Sequence, residues 1–509
     1  MKITLISTST FPSDQGIRTL SAVLKKAGYD LKLVFMTASE DYSKLYSLNE
    51  LKQLARICKG SGLIGVNSFA STAKRAIQII NFLKPLNVPI VWGGIHATIS
   101  PQECIKHCSI VCVGEAEEAI VDLAKSIEKG KSIEKLRNFW IRTDKEIIKN
   151  PVRPLIDNID ILPFPDFDTE NHFVLERHRI RRFEERDLSG QIFFLTGRGC
   201  PYGCDYCSNN FLNKLYEGKR KRIVRWHSVD YIISGILYMK KKFPNLGYFD
   251  IRDDTFSLRP LENIKEFCKK YKEKVHMRFK CLADPHTVSE EKIKLLVEAG
   301  CTDIIIGIQG SERTNQEIYH RHQTDKDVIN AARILSKFKN LAVMYDVITC
   351  NPYEKPEDII SVIKLLEKLP PPFYLSVNNL IFFTGSQLYL RAKKDGIIKT
   401  EKDSAAELNY WDRKKHILLK GKNIYLNLIL NLMRGSVSQS RFGFMPRKLL
   451  KYLLEPERVR RNLKNKFPSL LVLQLVGFYD LIRERIMKPA YRSLPISFKV
   501  WYDRVRYRV

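Results

Sequence analysis

The sequence has no apolar run that reaches the ~18 residues a membrane-spanning helix needs, so a helical membrane protein is not expected. It has no low-complexity tract and no internal repeat beyond a strand-then-helix rhythm, which argues against a solenoid or a disordered chain. No charged-then-apolar leader opens it: Met1 runs directly into Lys2-Ile3-Thr4-Leu5-Ile6, which reads as a first β-strand. The expectation is a cytoplasmic protein. Thiols stay reduced there, so the eleven cysteines do not read as a disulfide framework. A close group of them reads as a metal site. Acidic residues are in deficit, with 56 Asp and Glu against 85 Lys and Arg, a net charge of +29.

The 509 residues are 44% hydrophobic and 28% charged, the composition of folded domains. At ~150 residues per domain, two to four are expected. The positive charge is uneven. Residues 401–509 carry 24 basic and 9 acidic side chains, +15 of the total. Phosphate-bearing partners or an anionic membrane surface are the usual reasons for such an excess; the plain alternative is a solvated surface.

Four regions follow from the patterning. Residues 1–145 alternate short apolar runs (Ile3–Ser7, Leu31–Phe35, Leu63–Asn67, Pro89–Trp92, Ile110–Val113) with amphipathic helical stretches, the signature of a doubly wound parallel sheet. Ligands bind such sheets at the carboxyl ends of their strands, here the loops Thr8–Asp14, Ser68–Thr72 and Gly93–Thr98. Residues 146–190 read as a connector whose Leu162-Pro163-Phe164-Pro165-Asp166 cannot be helical. Residues 191–385 repeat the β-then-α pattern, with strands expected at Gln191–Thr196, Leu246–Ile251, Met277–Cys281, Asp303–Ile308, Ala342–Thr349 and Tyr374–Asn379. That pattern predicts a partial (β/α)6 barrel of the TIM type with its site at the strands' C-terminal ends. Residues 386–509 lose the alternation and read as basic and helical, for example at Lys448–Leu454 and Leu481–Lys488.

The sharpest feature is Gly197-Arg198-Gly199-Cys200-Pro201-Tyr202-Gly203-Cys204-Asp205-Tyr206-Cys207, in the loop after an apolar strand. Three thiolates at this spacing can wrap one cuboidal iron–sulfur cluster and leave one iron open. A zinc knuckle is the alternative, but it wants a fourth Cys or His, and none follows at suitable spacing. The motif resembles the radical S-adenosylmethionine (SAM) superfamily, whose hallmark is Cys-x3-Cys-x2-Cys after the first barrel strand. The resemblance implies a [4Fe–4S] cluster on Cys200, Cys204 and Cys207, an external electron donor, and cleavage of SAM to a 5′-deoxyadenosyl radical. It also implies SAM contacts at Tyr206, Asp253, Asp254, Gln309, Ser311 and Arg321. Read alone, Asp253 and Asp254 after a strand are equally N-caps of the next helix.

Upstream, Val91-Trp92-Gly93-Gly94-Ile95-His96-Ala97-Thr98 puts two glycines after an apolar strand. With Gly114-Glu115-Ala116-Glu117 and Leu162–Asp166 it is similar to the cobalamin-binding branch of that superfamily, methyltransferases among them. That resemblance implies cobalamin contacts at Thr10, Ser68, Gly93, Gly94, His96 and Glu115. Some cobalamin domains supply an axial histidine after the first strand, whereas Phe11-Pro12-Ser13-Asp14-Gln15-Gly16 contains none. His96 reads more simply as a structural loop residue than as a ligand. Cys104, Cys108 and Cys112 run from a helix into a strand and read as core thiols rather than a second cluster.

These features predict methyl transfer to an unactivated carbon of a small-molecule or lipid-linked substrate, with no residue singled out as an acid or base. The alternatives are a radical cyclase or oxidoreductase without methyl transfer, or an RNA-modifying methylthiotransferase-like enzyme, although no nucleic-acid module is apparent. The apolar runs Ile424–Met433 and Leu470–Phe478 beside basic residues suit peripheral attachment at the inner membrane surface.

Overall fold

Short apolar segments pair into strands throughout the computed structural model, which describes residues 1–37, 44–188, 190–404, 423–443 and 445–465, with 469 and 471. The apolar segments Leu470–Phe478 and Leu481–Lys488 singled out above lie essentially outside them. Contacts divide the described chain into two units, each taken by itself below.

The first unit comprises Met1–Asp254 with Glu273–Met277 and Ile381–Asn409. Its sheet begins with β1 (Lys2–Ser7), β2 (Asp30–Phe35), β3 (Leu63–Asn67), β4 (Ile90–Gly93) and β5 (Ile110–Cys112). These pair in parallel in the order β5-β4-β3-β1-β2. Strands buried on both faces need unbroken apolar runs, which is why they were visible in the sequence. The helices α1 (Gln15–Lys26), α2 (Leu48–Cys58), α3 (Ala73–Leu83), α4 (Ile95–Ile99), α5 (Pro101–His107) and α6 (Glu117–Glu128) connect them. α2 starts at a capping box in which the Ser47 N–H donates to Glu50 Oε2 (2.6 Å) and the Glu50 N–H to Ser47 Oγ (3.3 Å). Trp92, Leu54, Ile79, Ile80 and Leu83 anchor the core beneath the sheet.

Four strands of this sheet were not expected. β6 (Phe139–Arg142) and β7 (Ile147–Lys149) form a hairpin antiparallel to β5. The stretch read as a connector supplies β8 (His172–Glu176), parallel to β2, and β9 (Arg179–Arg182), antiparallel to β8. The basic run at β9 is therefore an edge strand, where charge deters pairing with another chain.

The unit continues with β10 (Gly190–Phe194), the two-residue β11 (Gly197–Arg198), α7 (Ser208–Leu215), β12 (Arg225–Trp226), α8 (Val229–Lys242) and β13 (Leu246–Ile251). β10 lies parallel to β13, and β11 is antiparallel to β12. Helix α8 starts at Ser228, whose Oγ accepts from the Tyr231 N–H (3.2 Å).

After α9 (Leu261–Lys274), the second unit carries β14 (Arg278–Ala283), α10 (Glu290–Glu298), β15 (Cys301–Gln309), α11 (Asp325–Leu335), β16 (Ala342–Thr349), α12 (Pro356–Lys368) and β17 (Phe373–Asn379). β14 to β17 are parallel neighbours in chain order. α13 (Gln387–Lys394) belongs to the first unit. In the second, α14 (Ile424–Met433) is followed by β18 (Gly435–Val437), β19 (Arg441–Phe442) and β20 (Met445–Pro446), which add an antiparallel extension to β17, and then by α15 (Arg447–Leu453) and α16 (Pro456–Lys464). The C-terminal region is thus not purely helical. The apolar run expected to face a membrane is α14, a core helix buried on nearly all sides and packed on α12 and α16. No helix among the described residues is long and apolar enough to cross a membrane.

Candidate functional site

The carboxyl ends of β1, β3, β4 and β5 converge on a cavity inside the first unit. Its walls are mostly apolar, with Leu5, Ile17, Leu20, Val66, Val91, Ile120, Leu162, Pro165 and Leu195, and its polar lining includes Gln15, Asn67 and Glu115. Gly93 and Gly94 form one side. Gly94 has φ +95°, and a Cβ there would strike the Asn67 side chain and come within 2.9 Å of the Ser68 carbonyl oxygen. Only glycine fits, and the backbone is laid bare to whatever fills the cavity. Below it, Asp14 Oδ2 accepts from Ser7 Oγ (2.7 Å) and Asn67 Nδ2 (2.8 Å). Burial raises the Asp14 carboxyl above its ordinary value despite these bonds.

Of the six expected cobalamin contacts, Gly93, Gly94 and Glu115 line this cavity; Thr10, Ser68 and His96 do not. Ser68 is buried behind the sheet and accepts from Trp92 Nε1 (2.9 Å). His96 is buried beside the Trp92 ring, with neither ring nitrogen hydrogen-bonded, and burial lowers its pKa to about 4. It is a core residue set back from the lining of the cavity. The imidazole that does line the cavity is His227, whose Nδ1 lies 2.8 Å from Asp160 Oδ1 and whose ring stacks on Tyr231 at 3.9 Å. The proline-rich segment closes the cavity with Leu162 and Pro165, while its Asp166 is anchored on α1. Ser21 Oγ (2.6 Å), Lys25 Nζ (2.8 Å) and His172 Nε2 (3.1 Å) surround the Asp166 carboxylate. Burial alone would raise its pKa, but His172, Lys25 and Ser21 together hold it well below the usual carboxylate range.

The cavity's far wall is the start of the cysteine loop, Leu195, Gly197 and Arg198. Gln15 holds that wall, donating from Nε2 to the Leu195 carbonyl (3.2 Å) and accepting the Leu195 N–H (2.7 Å). Asp253 fixes the same turn. Its Oδ1 accepts from the N–H of Thr196 (2.6 Å) and of Gly197 (3.1 Å), and its Oδ2 from Thr196 Oγ1 (2.5 Å). A carboxylate engaged by three donors is a support of the loop, whereas Asp254 is exposed and its charge helps raise the Cys200 thiol. Gly199 has φ +91°, and a Cβ there would run into the Ile223 carbonyl oxygen.

Cys204 is buried, and Cys200, Tyr206 and Cys207 are half-buried. The Cys207 N–H donates to the Cys204 carbonyl (3.0 Å), Asn213 Nδ2 to the Cys200 carbonyl (3.0 Å) and Asn210 Nδ2 to the Gly203 carbonyl (2.6 Å). Helix α7 thus holds the loop by its backbone. Burial, then the nearby Asp254, Cys207 and Cys204, pushes the Cys200 thiol up to about 12. No three described His, Cys, Asp or Glu side chains converge closely enough for a single metal ion. Three thiols spread over one loop fit a cuboidal cluster, in which each binds a different iron. Cys104, Cys108 and Cys112 are buried, and burial raises all three thiols; Cys108 Sγ donates to the Ile90 carbonyl at 3.2 Å.

In the second unit, Gln309 ends β15 at φ +66°, a left-handed conformation that a glutamine seldom adopts and that concentrates at functional loops. Ser311 is buried and donates to Asp358 Oδ1 (3.1 Å). Arg321 pairs with Asp284 (2.5 Å) and donates to Gln323 Oε1 (3.1 Å) and the Gly307 carbonyl (3.3 Å). Three of the six expected SAM contacts, Gln309, Ser311 and Arg321, lie in this unit and three, Tyr206, Asp253 and Asp254, in the first.

Residues 1–124 match the family model described as a B12 binding domain, and residues 194–366 match the radical SAM superfamily. An uncharacterised methyltransferase of Pyrococcus horikoshii is 25% identical over 60% of this chain and 64% of its own length. The bacteriochlorophyllide d C-8(2)-methyltransferase of Chlorobaculum tepidum is 22% identical over 67% of this chain and 70% of its own. The match thus spans less than two thirds of the first of these relatives. Among solved structures, the cobalamin-dependent SAM radical enzyme OxsB, with aqua-cobalamin and SAM bound, superposes with a TM-score of 0.64 and 15% identity over 94% of this chain and 72% of that one, a likeness of fold. The chain carries a B12 binding domain ahead of a radical SAM domain.

Proposed function

We propose that the chain is a cobalamin-dependent radical SAM methyltransferase that acts on a small-molecule substrate. The observation that carries this reading is the wall shared by the two candidate sites: Gly197 and Arg198 line the cavity of the B12 binding domain and lead directly into Cys200. Bound here, a [4Fe–4S] cluster reduced by an external donor would supply the electron that cleaves SAM to methionine and a 5′-deoxyadenosyl radical, which would take a hydrogen atom from the substrate, and cobalamin, remethylated by a second SAM, would supply the methyl group to the substrate radical.

The chain's own residues prepare that chemistry. Cys200, Cys204 and Cys207 would hold the cluster through three of its irons and leave the fourth for SAM. Asp253 and Gln15 fix the loop that presents them. The bare backbone at Gly93 and Gly94 lets a flat macrocycle lie close, and the apolar lining excludes water from it. Tyr206, Gln309, Ser311 and Arg321 are the groups proposed to face SAM. For the substrate, the +15 charge of residues 401–509 supports an anionic compound, a lipid-linked one included.

The test follows the methyl carbon. Purified anaerobically and given SAM labelled at its methyl group, a reductant and candidate acceptors, the protein transfers label to product and releases 5′-deoxyadenosine with it. Deoxyadenosine formed without labelled product would overturn methyl transfer and leave the cyclase or oxidoreductase reading. Co-sedimentation with anionic vesicles, absent with neutral ones, distinguishes a lipid-linked substrate from a free one.

A further inference from the structure

The Gly114-Glu115-Ala116-Glu117 loop belongs to the B12 binding domain, yet its polar groups are engaged by the segments that flank the cysteines. On the upstream side, Arg198 stands two residues before Cys200. Its Nη2 reaches Glu117 Oε1 at 2.7 Å and its Nη1 reaches Glu115 Oε1 at 3.4 Å. Arg225, the partner of Arg198 in the β11–β12 ladder, grips the same Glu115 with both terminal nitrogens, at 3.0 and 2.5 Å. On the downstream side, Tyr216 closes α7, the helix that begins directly after Cys207. Its hydroxyl oxygen accepts the Glu115 N–H at 2.7 Å. Gly114, Glu115, Glu117 and Arg198 all line the cavity as well.

The energetics make this more than a surface ion pair. Arg225 and Glu117 are buried. Burial disfavours the Glu115 carboxylate, but Arg225 and Arg198 outweigh it and hold the carboxyl below its ordinary range. Two arginines and two carboxylates compensate one another here, and displacing one member leaves a buried charge unpaired. Whatever fills the cavity beside Glu115 therefore acts on the same groups that fix both ends of the cysteine segment.

We propose that Arg198 and Glu115 are positioning residues that couple occupancy of the cavity by cobalamin to the order of the cluster-bearing loop. The proposal rests on the function proposed above. Coupling between two sites is reciprocal, so a loaded cluster tightens cobalamin binding by the same factor by which cobalamin stabilises the cluster.

The experiment titrates the full chain anaerobically with hydroxocobalamin, followed by visible absorption, once with the cluster reconstituted and once free of iron. The proposal predicts a Kd smaller by about fivefold or more with the cluster present. In Arg198→Gln that ratio falls to about one while four irons per chain are retained, and Arg198→Lys restores part of it. A wild-type ratio of one, or an unchanged ratio in Arg198→Gln, overturns the coupling and leaves the cobalamin reading standing. No binding by the wild type in either state overturns the cobalamin reading, and the coupling with it. Should Arg198→Gln fail to fold, Tyr216→Phe, which removes a single hydroxyl, is read by the same two ratios.

Discussion

Gly94→Ala isolates what the bare backbone of the cavity is for. Two effects add. At φ +95° an L residue is strained, about 1–2 kcal/mol for a left-handed conformation. The new methyl also strikes the Asn67 side chain and stands 2.9 Å from the Ser68 carbonyl oxygen, an overpacking of about 1–3 kcal/mol. Together they amount to roughly 2–5 kcal/mol, about 4–20 °C in Tm at ~2–4 °C per kcal/mol for a domain of this size. Gly60→Ala is the control. Gly60 lies in the same domain at φ +79° with nothing within 4 Å of an added Cβ, so only the backbone part applies, about 1–2 kcal/mol. Thermal unfolding of the two variants, with cobalamin titration of each, reads out the difference. Asn67 lines the cavity and donates to Asp14, so its displacement in Gly94→Ala also weakens cobalamin binding at least tenfold, the factor that corresponds to ~1.4 kcal/mol. Equal Tm values for the two variants, or unaltered binding by Gly94→Ala, would refute the close approach.

Asp253→Ala removes the acceptor of three hydrogen bonds at the entry to the cysteine loop. It lowers iron incorporation more than Asp254→Ala does, as measured by iron and sulfide after reconstitution; equal loss would contradict the supporting role given to Asp253. Burial raises the Glu354 carboxyl to about 8. Folding therefore favours the protonated form, and stability falls as pH rises from the ordinary carboxylate range toward 8, levelling beyond it. Glu354→Gln flattens that fall, visible as a smaller change in denaturation midpoint between pH 6 and 8. Changing Cys104, Cys108 and Cys112 together to Ser leaves four irons per chain, because those thiols are separate core residues; loss of iron in that variant would place a cluster ligand among them.

The parallel strands at the start of the chain could be read because burial on both faces demands apolar runs such as Leu63–Asn67, and those of the second unit, such as Ala342–Thr349, which buries alternate residues, because β-branched and aromatic runs recur between helical stretches. The strands that could not are short, and all but β8, which lies parallel to β2, are antiparallel. Ile147–Lys149 and Arg179–Arg182 carry charge on exposed edges, and Arg441–Phe442 is too brief to show a period. The run Ile424–Met433 misled for a physical reason: a ten-residue helix that is apolar but for Asn427 and Asn431 looks much the same whether protein or lipid covers it. At the site, the cysteine loop and the paired glycines were visible because local spacing encodes them. Gln15, Tyr216, Arg225 and His227 were not. Their roles come from partners 180, 101, 110 and 67 residues away, and no local pattern records such pairings. The burial of His96 beside Trp92 is likewise not recorded in its local motif.

The central claim is that one chain holds a cluster and a cobalamin on either side of a shared wall. Iron, sulfide and cobalamin counted together after anaerobic reconstitution test it most directly. Four irons, four sulfides and one cobalamin per chain are predicted, with the iron lost and the cobalamin largely kept when Cys200, Cys204 and Cys207 are all changed to Ala. Iron retained in that variant, or no cobalamin bound by the unaltered chain, would contradict the account.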